Sequence, residues 1–529
     1  MRALRRAVCC LSWLLAAACA GDGPSPIVAE ADAGAQAPEL DGHGSDLAPD
    51  VPGPRLPEDT RAPALDAEPV DVPQPLDGGS DAHSSDLPPL AEDATAPEVF
   101  DPGPSPCAEV EAFTPVYDAD LAKYTALGAA PPGGVVFAGS SSIRRWEGLY
   151  EAFSDYAPVQ RGLGGLQLGE LALRADALIT VHQPRGVVVF SGTNDLAFAV
   201  EPAVVLDRLR CLRWRVGEAL GWELPLFFIA VTPNPARWAQ WPVVSEFNAA
   251  ASALTAGDPG LHFIDVATPF LATGEPPDAS LFEPDGLHLS PSGYALWQSA
   301  IRPAVAAVLS PASPSTTAPA LPVGTRLLVD VGPSNPEDGE LTPSPDYRGN
   351  HWNNWLPVEG GDSILAGEVL RDLVTTTGAP TPVSLVISGG FLCNGRKNGG
   401  LLWPDAAKLG DFAVGSATGD FFYVQNADAP GALVLSGLSP AQTYTVRLFA
   451  ARDDSEVRAT RYDVQGKTAL LQTSGPGAGA GNTNDDTVAA VEGVAPDAWG
   501  NVFIDVSSEQ GAFAYLSALE LVAEAAPSP

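Results

Sequence analysis

The sequence predicts an α/β domain on a parallel sheet, then an all-β sandwich, both behind a long disordered N-terminal linker. Three observations carry this. Between Cys107 and Leu309, short apolar runs alternate with helix-patterned stretches. From Arg326 onwards the pattern changes to short strands parted by turns rich in Gly, Asn, Asp and Pro. Before Cys107 the chain is mostly Asp, Pro, Ala, Gly and Ser, with very few aromatics. A chain of 529 residues has room for two or three domains. Its 52 prolines are roughly double the usual share, which points to long unstructured stretches.

Charge narrows the partners. The chain has 65 acidic and 28 basic side chains, a formal net charge of −37. That argues against nucleic acid and against an electrostatic grip on anionic lipid. No apolar span of about 18 residues follows the N-terminus, so no membrane-crossing helix is expected in the mature chain.

Residues 1–19 have the form of an export signal. Arg2, Arg5 and Arg6 make the charged region, and Val8 to Ala18 a short apolar core. The core ends in Ala16-Ala17-Ala18-Cys19. Small residues before a cysteine resemble a bacterial lipoprotein signal, which would make Cys19 the lipidated N-terminus and place the protein on the cell envelope or surface. Leu15 lies one place further from the cysteine than usual, and an ordinary cleaved signal with secretion is the alternative. From Ala20 to Pro106, nineteen acidic residues stand against Arg55 and Arg61. Such a segment cannot bury enough apolar surface to offset its ordering entropy, and reads as an extended tether. Three cysteines remain beyond it: Cys107, Cys211 and Cys393. In an exported protein Cys107 can pair with Cys211, and an odd number leaves at least one thiol out of that pair.

Residues 107–309 form the expected α/β domain. Val135-Val136-Phe137 reads as a buried strand that breaks at Gly139 into Ser140-Ser141-Ser142, with a helix expected over Ile143–Phe153. A strand end at Pro158–Arg161 runs into Gly162-Leu163-Gly164-Gly165, followed by helical spacing over Leu168–Ile179. Gly186–Phe190 is the cleanest buried strand, and Ser191-Gly192-Thr193-Asn194-Asp195 follows it. Pro202–Leu220 is a long amphipathic helix; Leu224–Val231 and Leu261–Val266 are strands. Asp285-Gly286-Leu287-His288 precedes a helix started by Ser290 as cap and Pro291 at its first position. In a parallel sheet covered on both faces, loops at the carboxyl ends of the strands gather at one rim.

Those loops carry what acyl transfer needs. Ser141 would be the nucleophile, His288 its base, and Asp285 the group that orients the imidazole. Gly165 could offer a backbone N–H and Asn194 its side-chain amide; with the Ser141 N–H these make three oxyanion donors. Plainer readings exist for each residue: serines that cap a helix, a structural His288, Asn194 as a turn residue, Arg144 and Arg145 as a solvated helix face. No His or Cys pair stands at metal-ligand spacing, and the mechanism needs no metal or cofactor.

The set resembles the SGNH, or GDSL-type, hydrolase superfamily. GSSSIRRW at 139–146 is similar to its first block, RGLGG at 161–165 to its second, SGTND at 191–195 to its third and DGLH at 285–288 to its last. TPNPARW at 232–238 is similar to one branch of these esterases. The resemblance covers about 130–309 and implies a flavodoxin-like three-layer fold and a serine esterase working through Ser141, Asp285 and His288, with Ser141, Gly165 and Asn194 as the oxyanion hole. Ser140 replaces the aspartate of the GDSL name, and Gln160 stands where an asparagine is common. Neither change removes a reacting group.

Residues 310–325 read as a linker and 326–524 as the sandwich, which resembles galactose-binding-like jelly rolls. Its most unusual segment is His351-Trp352-Asn353-Asn354-Trp355, where two tryptophans and two amides could hold a sugar ring or could pack in a core. The expected activity is hydrolysis of an ester through an acyl-enzyme, the preferred substrate an acylated glycan losing acetyl groups. A lysophospholipid or other lipid ester, and a glycan-binding protein with an inactive hydrolase domain, are the alternatives.

Overall fold

The computed structural model describes residues 100–111, 118–314, 318–332, 339–355, 363–425 and 430–525. The signal segment, Cys19 and nearly all of the acidic tether lie outside the described residues. Among those described, no helix is long and apolar enough to cross a membrane.

The α/β part is built on β1 (Val135–Gly139), β2 (Pro158–Gly162), β3 (Gly186–Phe190), β4 (Leu226–Ile229) and β5 (Leu261–Ile264). Their order across the sheet is β2-β1-β3-β4-β5, and every neighbouring pair is parallel. Successive side chains of a strand point to opposite faces, and here both faces are apolar. Val136, Ala138, Val187 and Val189 join a core with the helices Leu168–Leu173, Pro202–Leu220 and Trp241–Leu254. Val135, Phe137, Val188 and Phe190 join a second core with Leu149–Ala152 and Pro291–Val308. The result is three layers, as the alternating pattern predicts. Register aligns Gly139 with Gly162 on one side and Phe190 on the other, so the loops after β1, β2 and β3 leave the sheet at one level. Cys107 and Cys211 form a disulfide that ties the N-terminal segment to the helix Pro202–Leu220. Cys393 is buried in the β part.

Two expected helices are each divided. The stretch after the serines is a single turn, Ser141–Arg144, and then Leu149–Ala152. The Gln160 side-chain amide takes the carbonyls of Ile143 and Trp146, at 2.6 and 3.2 Å, in place of the donors a continuing helix would supply. The stretch Leu168–Ile179 is likewise Leu168–Leu173 and Ala175–Leu178. The cap at Ser290 forms as expected, its hydroxyl accepting the Gly293 N–H at 3.3 Å.

The C-terminal part folds as six-, four- and five-stranded sheets around a main apolar core, with a smaller cluster that includes Leu328, Trp352 and Phe412. The last two strands, Phe513–Leu516 in the four-stranded sheet and Ala518–Ala523 in the five-stranded one, are consecutive in the chain. The switch is at buried Ser517, whose N–H is held by the Phe449 carbonyl at 2.8 Å. The first strand, β6 (Arg326–Val331), pairs in parallel with β7 (Trp352–Trp355). The α/β and β parts belong to one compact unit, and Leu365 of the β part lies inside the α/β core.

Asp330 on β6 and Asp420 form a buried acidic pair, each with one side-chain oxygen that has no partner among the described residues. Burial pushes both carboxyl groups up, and the charge of Asp330 adds to the rise at Asp420. A folded-state pKa above the unfolded value means that stability is lost as pH rises towards it. Asp420→Asn is therefore expected to raise Tm, with a gain that widens from pH 5 to pH 8 in thermal melts; a gain that shrinks with pH contradicts the pair.

Candidate active site

Gly139 ends β1 with φ +152, and a Cβ there would meet the Phe190 carbonyl oxygen at 2.0 Å. Only glycine lets the strand turn this tightly beside β3, and the turn brings Ser140 and Ser141 to the sheet rim. The Ser140 N–H bonds the Phe190 carbonyl at 3.1 Å. Ser141 then opens the single-turn helix. So short a helix contributes little macrodipole; its gift to an anion is the backbone N–H at its start.

His288 Nε2 lies 3.0 Å from Ser141 Oγ, and His288 Nδ1 lies 2.5 Å from Asp285 Oδ2. The other Asp285 oxygen accepts the N–H groups of Leu287 and His288 at 2.8 and 2.9 Å. The tight turn Asp285–His288 thus fixes carboxylate and imidazole together through its own backbone. His288 is buried, while the Asp285 side chain is 44 % exposed. Burial works against ionisation of Asp285, but hydrogen bonds from the His288 ring and from the Leu287 and His288 N–H groups hold its carboxyl below the ordinary value. Burial, and after it the positive charges of Arg145 and Arg237, hold His288 below its ordinary 6.5 against the pull of Asp285. The base form of His288 is then kept to lower pH. The acid limb of kcat/KM is expected below pH 6.5, and Arg145→Gln should move it upwards. A pH–rate profile in which Arg145→Gln leaves the limb in place, or lowers it, contradicts this assignment.

Asn194 lies in the same cleft as Ser141, with Phe190, Thr193, Thr232, Asn234 and Leu287. Its Nδ2 donates to the Leu166 carbonyl at 3.1 Å, and its Oδ1 accepts from Arg237 Nη1 at 3.4 Å. These contacts fix which way the amide points, and its nitrogen carries a second hydrogen for a ligand. Gly165, at φ +78, sits in the turn between Leu163 and Leu166. That turn is tied to the nucleophile strand by the Leu163 N–H on the Gly139 carbonyl, at 2.9 Å. Asp195 braces the loop: it accepts the Leu168 N–H at 2.9 Å and Arg208 Nη1 at 2.7 Å.

Several contributors were not singled out from sequence. Arg237, in TPNPARW, also donates to the Thr193 carbonyl at 3.2 Å. Asn234 accepts the Arg237 N–H at 2.9 Å and so shapes that turn. Tyr294 donates to the Ser142 carbonyl at 2.8 Å, and Trp297 Nε1 to Thr232 Oγ1 at 3.0 Å. Asn234 and Arg237 stand in TPNPARW, while Tyr294 and Trp297 are aromatic residues on the first two turns of the helix that follows DGLH. His182 and His262 stay outside the site: His182 faces Arg161, and His262 stacks on Phe227.

The sugar-site reading of His351–Trp355 is corrected. Trp352 and Trp355 are each 3 % exposed and Asn353 9 %. Trp352 Nε1 is spent on Asp346, Asn353 bridges Leu328 and Val374, and Asn354 holds both backbone groups of Thr342. The segment is β7, a core strand whose polar atoms satisfy its own neighbours, so it offers no ring face to a ligand. Among the described residues, no group of three or more His, Cys, Asp or Glu is placed to hold a metal ion.

Residues 125–296 match the model of the GDSL-like Lipase/Acylhydrolase family. Among solved structures, the chain is similar to a GDSL-like lipase from Bacteroides thetaiotaomicron, at 19 % identity over 36 % of this chain and 97 % of that one, with a TM-score of 0.31. It is similar to a lipase/acylhydrolase from Enterococcus faecalis, at 19 % identity over 34 % and 98 % of the chains, with a TM-score of 0.29. A mutant of an acetylxylan esterase from Geobacillus stearothermophilus is 14 % identical over 33 % and 95 %, with a TM-score of 0.28. A comparison with curated proteins finds no match.

Proposed function

We propose that the chain is a serine carboxylester hydrolase that removes short acyl groups, acetyl above all, from a polar alcohol such as a polysaccharide or glycoside; the match of residues 125–296 to the GDSL-like lipase/acylhydrolase model supports the reading. The observation that carries the hydrolase reading is the hydrogen-bonded line Ser141–His288–Asp285. His288 takes the Ser141 proton as Oγ attacks the ester carbonyl. The oxyanion is held by the N–H groups of Ser141 and Gly165 and by Asn194. Collapse of the intermediate expels the alcohol, which His288 protonates, and leaves an acyl-Ser141. Water, deprotonated by His288, then attacks the acyl group; the acid departs and Ser141 regains its proton.

The cleft supports the short-acyl reading. Ser140, Ser142, Thr193, Asn194, Thr232 and Asn234 line it beside Phe190, Leu287, Leu289 and Trp297. Small hydroxyl and amide groups suit a hydroxyl-rich alcohol, and the apolar floor suits a methyl group. Export and a lipid anchor at Cys19 belong to the same proposal and rest on the form of residues 1–19 alone.

The test is hydrolysis of p-nitrophenyl esters from acetyl to octanoyl, alongside acetylated xylo-oligosaccharide. The expected result is a kcat/KM that falls about tenfold or more from acetyl to octanoyl, with release of acetate from the glycan. A long-chain optimum overturns the substrate class.

A further inference from the structure

The β part reaches into the α/β part at one place. Residues 363–368 form a short strap that runs along the outer side of β2, the edge strand of the parallel sheet. Leu365 is buried in the α/β core, 2 % exposed. Gly367, at φ +91, lies so close to β2 that a Cβ would meet the Gln160 carbonyl oxygen at 2.1 Å. Lys123 Nζ donates to the Ser363 carbonyl at 3.0 Å.

Two side chains of the α/β part join the strap to the oxyanion turn. The Tyr124 hydroxyl lies 2.9 Å from the Ala366 carbonyl and 3.0 Å from the Gly162 carbonyl, and shares its one hydrogen between them. Arg161, 1 % exposed, bridges the Gln160 carbonyl at 2.7 Å and the Gly367 carbonyl at 3.0 Å, with its guanidinium over the Tyr124 ring. Glu368 is equally buried, and its carboxylate accepts the Leu365 N–H at 2.7 Å, which closes the strap on itself. Arg144 ends the turn that Ser141 begins, and its guanidinium is 3.2 Å from where a Gly164 Cβ would stand. The Tyr124, Arg161 and Arg144 contacts fall on the end of β2, on its following turn, or on the nucleophile helix. The turn and the helix each carry a proposed oxyanion donor.

We propose that the β part is an integral half of the hydrolase, and that its 363–368 strap, acting through Tyr124 and Arg161 as positioning residues, holds the Gly162–Gly165 turn at the spacing the oxyanion requires. The inference rests on the esterase reading above and gives the β part a role in turnover in place of glycan capture. A displacement of about 1 Å in a donor loop is enough to cost one to two orders of magnitude in rate.

The experiment uses the full chain with Tyr124→Phe, which removes one hydroxyl, and Gly367→Ala, which pushes the strap from β2. Trp499→Phe is the control, since Trp499 Nε1 bonds the Ala312 carbonyl at 3.0 Å, a joint between the two parts distant from the strap in sequence. Steady-state kinetics are normalised to the number of sites titrated by an organophosphate, and backbone hydrogen exchange is followed over residues 162–166. Tyr124→Phe and Gly367→Ala are expected to lower kcat per titrated site about ten- to a hundredfold with KM within about twofold, and to speed exchange in the turn; Trp499→Phe should do neither. A lowered Tm with kcat per site unchanged would mean a purely structural joint and overturn the proposal. Unchanged exchange in both strap variants overturns it too, and that readout stands even if the wild-type chain shows no Ser141-dependent turnover, a result that would instead sink the esterase reading.

Discussion

Replacing His288 by alanine is expected to lower kcat/KM for the preferred ester by about four to six orders of magnitude, and adding Ser141→Ala to change it little further. The two residues act as one device. Ser141 is a poor nucleophile unless a base 3.0 Å away removes its proton, and that base is useless without the hydroxyl. What survives is the binding and oxyanion stabilisation of Asn194 and the backbone donors. Fold stability should barely move, because Ser141 is only partly buried and the His288 ring contacts are those of the site itself. A double variant that loses the product of the two single effects would mean that the residues act independently.

Asp285→Asn is the second large effect, expected at about three to four orders of magnitude in kcat. The asparagine oxygen can still accept the N–H groups of Leu287 and His288, so the turn is kept. Its NH₂ then faces His288 Nδ1, where the carboxylate had accepted a hydrogen bond. The ring is driven to the tautomer that carries its hydrogen on Nε2, the atom that must receive the Ser141 proton. The imidazolium formed during attack also loses its counter-charge. A kcat within tenfold of wild type would show that Asp285 only shapes the turn.

Much of this was legible in the chain. Unbroken apolar runs and helix-period patterns mark the strands and helices, and the four motif blocks are set on strand ends where a parallel sheet gathers its loops. Ser141, His288 and Asp285 come together because Asp285 and His288 share one turn, a local fact that sequence carries well. What sequence could not carry is tertiary. Gln160 breaks the helix after Arg144 from a strand seventeen residues away, with no local signal. Trp352 and Trp355 have the composition of a sugar platform, yet the β6–β7 pairing buries them. Arg144 has the look of a solvated charge, yet its guanidinium lies against the oxyanion turn at Gly164. The 310–325 segment has linker composition, but composition is silent about how the parts on either side of it meet. Here they share a core through Leu365.

The most direct test of the central claim is mass spectrometry of the full chain after reaction with a fluorophosphonate, read together with residual esterase activity. The geometry predicts one phosphonyl group per chain, located on Ser141, with activity lost in proportion to labelling and no labelling in His288→Ala on the same time scale. Activity that persists when Ser141 is fully labelled, or a label that settles on another residue, would contradict Ser141 as the nucleophile.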